Sequence, residues 1–345
     1  MIVFDLLTGF LGSGKTTLLN AFLKTGAGTD TAVIVNEFGA IGLDQLLYKE
    51  LSEDVYLLDS GCLCCTVTHS LRETLLEIKN LSNRLGRPPL QRVVIETTGL
   101  ADPLPVLHAL LGDKALMPHF RLGQVITTVD AVQGAAQLVQ HMESRRQASV
   151  AEHLVITKTD MANPDQLQSL RQHLIQINPR AQVTETVHGQ AAASVFSTAV
   201  GDRSLQLLPS ATPFIQSIAA PRSVLTHGSG SDIGSWSTFT DNRPTWVGIA
   251  AWWNLLVLQF GTQLLRCKGL LSVNDARPFV LIQGVGKVFH SPTFLPAWPD
   301  ADPRGRIVCI GSKLDPVWLQ ASLRALTITE VSARPRNLNE LNDCF

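Results

Sequence analysis

The octet Gly9-Phe-Leu-Gly-Ser-Gly-Lys15-Thr16 fits the spacing G-x-x-x-x-G-K-[ST], and it constrains the fold more than any other feature of the chain. An apolar run, Ile2–Leu7, precedes it, and the helical pattern Thr17-Leu-Leu-Asn-Ala-Phe-Leu23 follows. Strand, glycine-rich loop and helix is the order a phosphate-binding loop needs. Gly9, Gly12, Ser13 and Gly14 let backbone N–H groups curl around a β-phosphate, and the helix N-terminus adds favourable partial charge. Lys15 then reaches the β and γ oxygens, the Thr16 hydroxyl holds magnesium, and Thr17 completes the expected nucleotide contacts.

The first two hundred residues keep one rhythm of short apolar run, loop and amphipathic stretch. Strands are expected at Ile2–Thr8, Ala32–Asn36, Val55–Leu58, Arg92–Glu96, Gln124–Val129, His153–Thr157 and Gln182–Thr186. Helices are expected at Thr16–Leu23, Ser70–Leu81, Pro103–Leu111, Ala131–Met142 and Pro164–Ile177. Near-continuous Val and Ile runs alternating with helices indicate an α/β fold, a mostly parallel sheet covered on both faces. Its functional loops then lie at the carboxyl ends of the strands.

The rhythm breaks near residue 205, where Leu208-Pro-Ser-Ala-Thr-Pro213 and Ala219-Ala-Pro221 read as linker and Gly228-Ser-Gly-Ser231 as a loop. The expected division is a P-loop domain over 1–205, a linker over 206–222, a smaller α+β domain over 223–330 and a polar tail over 331–345. In the second domain the pattern predicts a strand at Ser235–Thr240 and a helix at Pro244–Leu265. Strands at Gly269–Val273, Phe279–Val285 and Arg306–Gly311 and a last helix at Pro316–Leu326 complete it.

Charge and composition exclude several partners. With 28 Lys and Arg against 29 Asp and Glu the net charge is −1, which argues against a nucleic-acid coat or a polybasic membrane binder. The most apolar stretch, Trp246–Phe260, is interrupted by Asn254 and Gln259 and reads as a buried helix rather than a membrane span. The start Met1-Ile-Val-Phe-Asp5 lacks the cationic opening of a secretory signal, so a cytoplasmic protein with reduced thiols is expected.

Two further strand ends carry chemistry. Arg92-Val-Val-Ile-Glu96 ends in a carboxylate placed to hold magnesium beside the phosphate loop. Thr157-Lys158-Thr159-Asp160 follows the strand His153–Thr157, where GTPases carry N-K-x-D. The Asp160 carboxylate can accept from the N1 and N2 donors of guanine, which adenine lacks, and the Lys158 stem can pack on the ring; Thr157 replaces the usual Asn.

Three of the six cysteines fall together in Gly61-Cys62-Leu63-Cys64-Cys65. Such thiolates suit zinc or another borderline-soft metal. Three small buried hydrophobes are the alternative reading, and a strained dithiol is a lesser one. Cys267, Cys309 and Cys344 are expected only to pack or dangle, and His119, His227 and His290 are assigned no metal role.

Taken together these residues resemble the CobW-type metal-chaperone GTPases of the P-loop class. The matching pieces are GFLGSGKTTLLN at 9–20, NEFGAIGLD at 36–44, GCLCC at 61–65, ETTGLADP at 96–103, VDA at 129–131 and TKTD at 157–160. Arg266-Cys-Lys-Gly-Leu-Leu and Gln283-Gly-Val-Gly are similar to that family's C-terminal domain. The resemblance implies a GTPase that uses GTP and magnesium, and whose nucleotide state controls a zinc site built on Cys62, Cys64 and Cys65. It implies a client metalloprotein as partner and leaves a homodimer open as the assembly. It places Glu37, Gly39 and Asp44 in the first switch region, with Glu37 among the catalytic residues; Ala40 stands where the family usually has a second acid.

On that reading GTP orders the segment Glu37–Asp44, the cysteines bind metal tightly, and hydrolysis releases it. No water-orienting Gln or internal arginine finger is evident, so hydrolysis by the chain alone is expected to be slow. Insertion of cobalt or iron, a P-loop small-molecule kinase or ATPase, and a non-enzymatic metal buffer are the competing readings.

Overall fold

Seven strands pair side by side into one parallel sheet. They are β1 (Ile2–Gly9), β2 (Thr31–Val35), β3 (Val55–Leu57), β4 (Arg92–Glu96), β5 (Phe120–Asp130), β6 (His153–Thr157) and β7 (Gln182–Glu185), in the order β3-β2-β4-β1-β5-β6-β7. The computed structural model describes residues 1–25, 30–35, 55–57, 66–84, 90–179, 181–196, 224–227, 233–290, 292–299 and 301–329. The chain divides into two compact units, Met1–Arg203 and Ser204–Phe345.

Helices connect the parallel strands: α1 (Lys15–Leu23), α2 (Thr66–Arg84), α3 (Pro103–Gly112), α4 (Gly134–Gln140), α5 (Met142–Val150) and α6 (Pro164–Ile177); α7 (Ala192–Phe196) follows β7. Local chemistry sets several starts. Asn163 caps α6 through the N–H of Gln166, whose side chain bonds back, with Pro164 at the first turn. The Asp102 carboxylate caps α3 by accepting from the Leu104 N–H, with Pro103 in the first turn. Strands β2, β4 and β6 are buried along almost their whole length because helices cover both faces. On one face, Phe22 of α1 stacks on Phe196 of α7 with ring centroids 4.4 Å apart.

The single helix expected at Ala131–Met142 is instead a turn, α4, a break at His141 and the separate helix α5. The Asp130 carboxylate holds the turn by accepting from the N–H groups of Val132 and Gln133. At the break His141 is extended (φ −119°, ψ 121°). Its ring stacks on Phe10 at 4.6 Å, while Arg145 donates to the carbonyls of Leu138 and Val139 that end α4.

The second unit holds an antiparallel sheet of β8 (Val224–His227), β9 (Ile233–Thr240), β10 (Leu264–Ser272), β11 (Phe279–Val285), β12 (Val288–Phe289) and β14 (Gly305–Ser312), ordered β12-β11-β10-β14-β9-β8. The short β13 (Thr293–Phe294) also pairs with β11. Helix α8 (Trp246–Phe260) buries Ile249, Trp252, Trp253 and Leu256 in the same core as Trp236. It stops short of the expected Leu265: Gly261 turns the chain at φ 54°, and Leu264 and Leu265 begin β10. The last helix, α9 (Pro316–Ser322), tightens into a 3₁₀ turn over Leu323–Thr327. Strand β8 was not anticipated. Cys267 and Cys309 lie opposite each other on β10 and β14, buried, with sulfurs 3.6 Å apart, so they pack in the core.

Among the described residues no helix is long and apolar enough to cross a membrane. The linker over 206–222, the loop Gly228–Ser231 and the tail over 331–345 lie outside the described residues.

Candidate functional site

Strand register gathers the chemistry along one edge of the parallel sheet. Glu96 pairs with Leu7 of β1 and Val35 of β2, Thr128 with Gly9, and Asp130 with Thr157. The carboxyl ends of β4, β1, β5 and β6 are therefore level, where an α/β sheet presents its ligand sites.

The loop from Gly9 to Gly14 is seated tightly. Gly9 has φ 143°, and a Cβ there would come within 2.3 Å of the Thr128 hydroxyl, so only glycine fits. Gly14 at φ 89° begins α1 directly, leaving the first-turn N–H groups without a side-chain cap and open to an anion. The Ser13 hydroxyl bonds that of Thr128 at 2.6 Å. The buried ammonium of Lys15 donates to the carbonyls of Gly9 (2.9 Å) and Phe10 (3.2 Å), which folds it back over the loop it would share with a phosphate.

The Thr16 hydroxyl donates to Glu96 Oε1 at 3.1 Å. A hydroxyl and a buried carboxylate side by side form a hard oxygen pair, the donor set that magnesium takes, so these residues fit the cation. Beyond Glu96, Thr97 donates to the Thr8 hydroxyl at 2.9 Å, and Gly99 packs so closely that a Cβ would lie 2.6 Å from the backbone N of Leu11. Helix α5 grips the loop after β4. Gln147 Nε2 donates to the carbonyls of Gly99 and Ala101, and Arg146 pairs with Asp102 at 2.6 Å.

At the other side of the loop, the Thr157 hydroxyl donates to the Ser13 carbonyl at 2.8 Å and the Val129 carbonyl at 3.3 Å. The threonine that replaces the usual Asn thus ties the phosphate loop to the segment expected to read the base. Lys158 follows in the left-handed conformation, its ammonium 2.6 Å from Asp130 Oδ2, and Asp160 is exposed in a 3₁₀ turn. The turn after β7 closes in from the side: Gly189 packs against Ala21 and the Thr17 carbonyl.

The structure therefore brings together Gly9, Gly12, Ser13, Gly14, Lys15, Thr16 and Glu96, with Thr157, Lys158 and Asp160 on the neighbouring strand end and Thr17 exposed on α1. Glu37, Gly39, Asp44 and the metal candidates Cys62, Cys64 and Cys65 lie outside the described residues. Among the described residues no group of three His, Cys, Asp or Glu side chains could hold a metal. His119 instead meets Lys79, with Nζ and Nε2 2.8 Å apart. Sequence reasoning passed over Thr128, Asp130 and Gln147 as individual residues. Only Asp130 had a visible signal, the carboxylate in Val-Asp-Ala at a strand end.

With that geometry in view, residues 3–185 match the family described as the CobW/HypB/UreG nucleotide-binding domain. Residues 233–327 match the cobalamin synthesis protein cobW C-terminal domain. The zinc chaperone YjiA of Escherichia coli is 31% identical over 325 residues, covering 94% of this chain and 98% of that protein. The zinc chaperone CobW of Pseudomonas aeruginosa is 29% identical, covering 92% and 90%. The crystal structure of the Zn(II)-bound YjiA GTPase from E. coli superposes with a TM-score of 0.65 at 26% identity, covering 95% of this chain and 99% of that one.

Proposed function

The chain belongs to the CobW/HypB/UreG family, and on that premise we propose that it is a GTP-hydrolysing metallochaperone that binds zinc or a similar transition metal and delivers it to a client metalloprotein. The observation that carries this reading is the level row of Lys15, Thr16, Glu96 and the Thr157–Asp160 segment at one sheet edge. Lys15 exchanges its two carbonyl partners for the β and γ oxygens of GTP, and the glycine-rich loop wraps the β-phosphate. Thr16 and Glu96 would hold magnesium, which would supply positive charge to offset that developing on the phosphates. Asp160 accepts from the guanine edge.

Cys62, Cys64 and Cys65 are the cargo site in this proposal, and Glu37 belongs to the switch that senses the γ-phosphate. The metal on the cysteines is a substrate to be passed on, so its affinity must fall when the γ-phosphate leaves. By linkage, metal then strengthens GTP binding by the same factor. A reducing cytoplasm suits such a site, because the thiolates stay available as ligands.

The test is steady-state turnover of GTP and ATP with zinc, with cobalt and without added metal; cobalt is included because the C-terminal match is described by cobalamin synthesis. GTP should be hydrolysed in clear preference to ATP, and Lys15→Ala should abolish it. Equal use of the two nucleotides would point to a P-loop ATPase or kinase instead.

A further inference from the structure

Lys158 occupies a conformation that side chains other than glycine adopt at a cost, with φ 56° and ψ 36°. Its carbonyl accepts from the Met161 N–H at 3.0 Å, so the turn that presents Asp160 starts from this strained residue. The partner that holds it is Asp130, at the end of β5 and in register with Thr157. The ammonium lies 2.6 Å from Asp130 Oδ2, and the Asp130 side chain is only 6% exposed against 40% for Lys158.

Asp130 is itself fixed. Its Oδ1 accepts from the backbone N–H groups of Val132 (2.8 Å) and Gln133 (3.0 Å). Burial pushes its carboxyl up, but the Lys158 ammonium and these two N–H groups outweigh that and hold it below the usual range. Both oxygens are thus engaged, which leaves the carboxylate poorly placed to serve as a cation ligand or a base. The Lys158 charge is likewise already neutralised, so the part of that side chain available to a ligand is its four-carbon stem.

We propose that Asp130 is a positioning residue that sets guanine-nucleotide affinity by anchoring the Lys158 ammonium so that its stem forms a fixed platform for the purine ring. This rests on the reading of Thr157–Asp160 as the base-binding segment. The platform contacts the face of the base and is blind to its edge. Asp130 therefore governs how tightly a purine nucleotide binds, and Asp160 governs which purine.

The experiment combines Asp130→Asn, Lys158→Ala, the double variant and Asp160→Asn in the full-length protein. It reads KM and kcat for GTP, and GDP and ATP affinity by titration. Asp130→Asn keeps an Oδ1 acceptor for the turn at Val132 and Gln133 and removes the charge. It should raise the KM for GTP roughly tenfold, the loss typical of a charge-assisted hydrogen bond, with kcat changed less than twofold. GDP and ATP affinity should fall by the same factor, leaving the preference for guanine intact. In the Lys158→Ala background the Asp130 substitution should add nothing.

An unchanged KM, a loss that adds in full to that of Lys158→Ala, or a fall in kcat with KM held would overturn the proposal. Asp160→Asn reports on the premise separately. If it leaves the preference for GTP over ATP intact, the base-segment reading fails and this inference falls with it. If it erases the preference while Asp130→Asn does nothing, only the platform role is wrong.

Discussion

The parallel sheet buries carboxylates both at its carboxyl edge and well below it, and the two groups behave differently. At the carboxyl edge Glu96 faces the Thr16 hydroxyl at the end of a glycine-rich loop. Lower down, Asp5 sits where the β1–β5 register shifts between Phe4 and Leu6. One of its oxygens accepts from the Gln124 N–H at 2.9 Å and the other meets Arg92 at 2.6 Å. Glu152 similarly accepts from the Val125 N–H at 3.2 Å. Asp5 is therefore consumed by the fold, holding a bulge and a cation, while Glu96 borders a loop built to admit an anion. Burial of a carboxylate does not by itself mark a site; what stands beside it decides.

That contrast breaks most easily at Lys15. Lys15→Ala should lower GTP turnover at least roughly a hundredfold while the melting temperature moves by no more than a few degrees. If the variant melted instead of losing activity, the upper edge would be structural like the lower region. Arg92→Ala should do the reverse, because it leaves Asp5 buried without its cation. Urea unfolding should show a loss of about 3 kcal/mol, with kcat at saturating GTP within twofold of the parent.

A smaller effect is expected at Gly99, where a Cβ would lie 2.6 Å from the Leu11 backbone N. Gly99→Ala should push the loop after β4 away from the phosphate loop and slow turnover roughly tenfold with GTP binding largely kept, read from single-turnover rates.

The pH dependence of stability tests the lower region once more. Burial raises the Asp5 carboxyl from 3.8 to about 6 in spite of Arg92. Between those values the folded chain keeps a proton that the unfolded chain has released. This group's contribution therefore declines as pH rises through that window and is level above it. Urea midpoints at several pH values should show this decline in the parent and not in Asp5→Asn; parallel curves would refute it.

Much of this was legible in the residues themselves. Arg92–Glu96, His153–Thr157 and Pro164–Ile177 form the expected elements with the expected ends, because continuous Val and Ile runs or a capping sequence fix them locally. The glycine-rich loop was legible for the same reason: its glycines, lysine and threonine lie within eight consecutive positions. Features set by distant partners were not. The helix break at His141 depends on Phe10, more than a hundred residues earlier in the chain. Gln147 reaches the Gly99 and Ala101 carbonyls across a separation no periodicity encodes. Thr157 read as a departure from the usual Asn, whereas its hydroxyl ties the glycine-rich loop at Ser13 to the end of β6.

Control of metal affinity by nucleotide state can be read by titrating zinc into the full-length protein bound to a non-hydrolysable GTP analogue, bound to GDP, and free of nucleotide. The same series should be run on the Cys62→Ser, Cys64→Ser double variant. Zinc should bind at least roughly tenfold tighter with the GTP analogue than with GDP, a coupling in the usual allosteric range, and the variant should lose that tight binding. Equal zinc affinity in all three states, or tight binding that survives in the variant, would contradict the proposal.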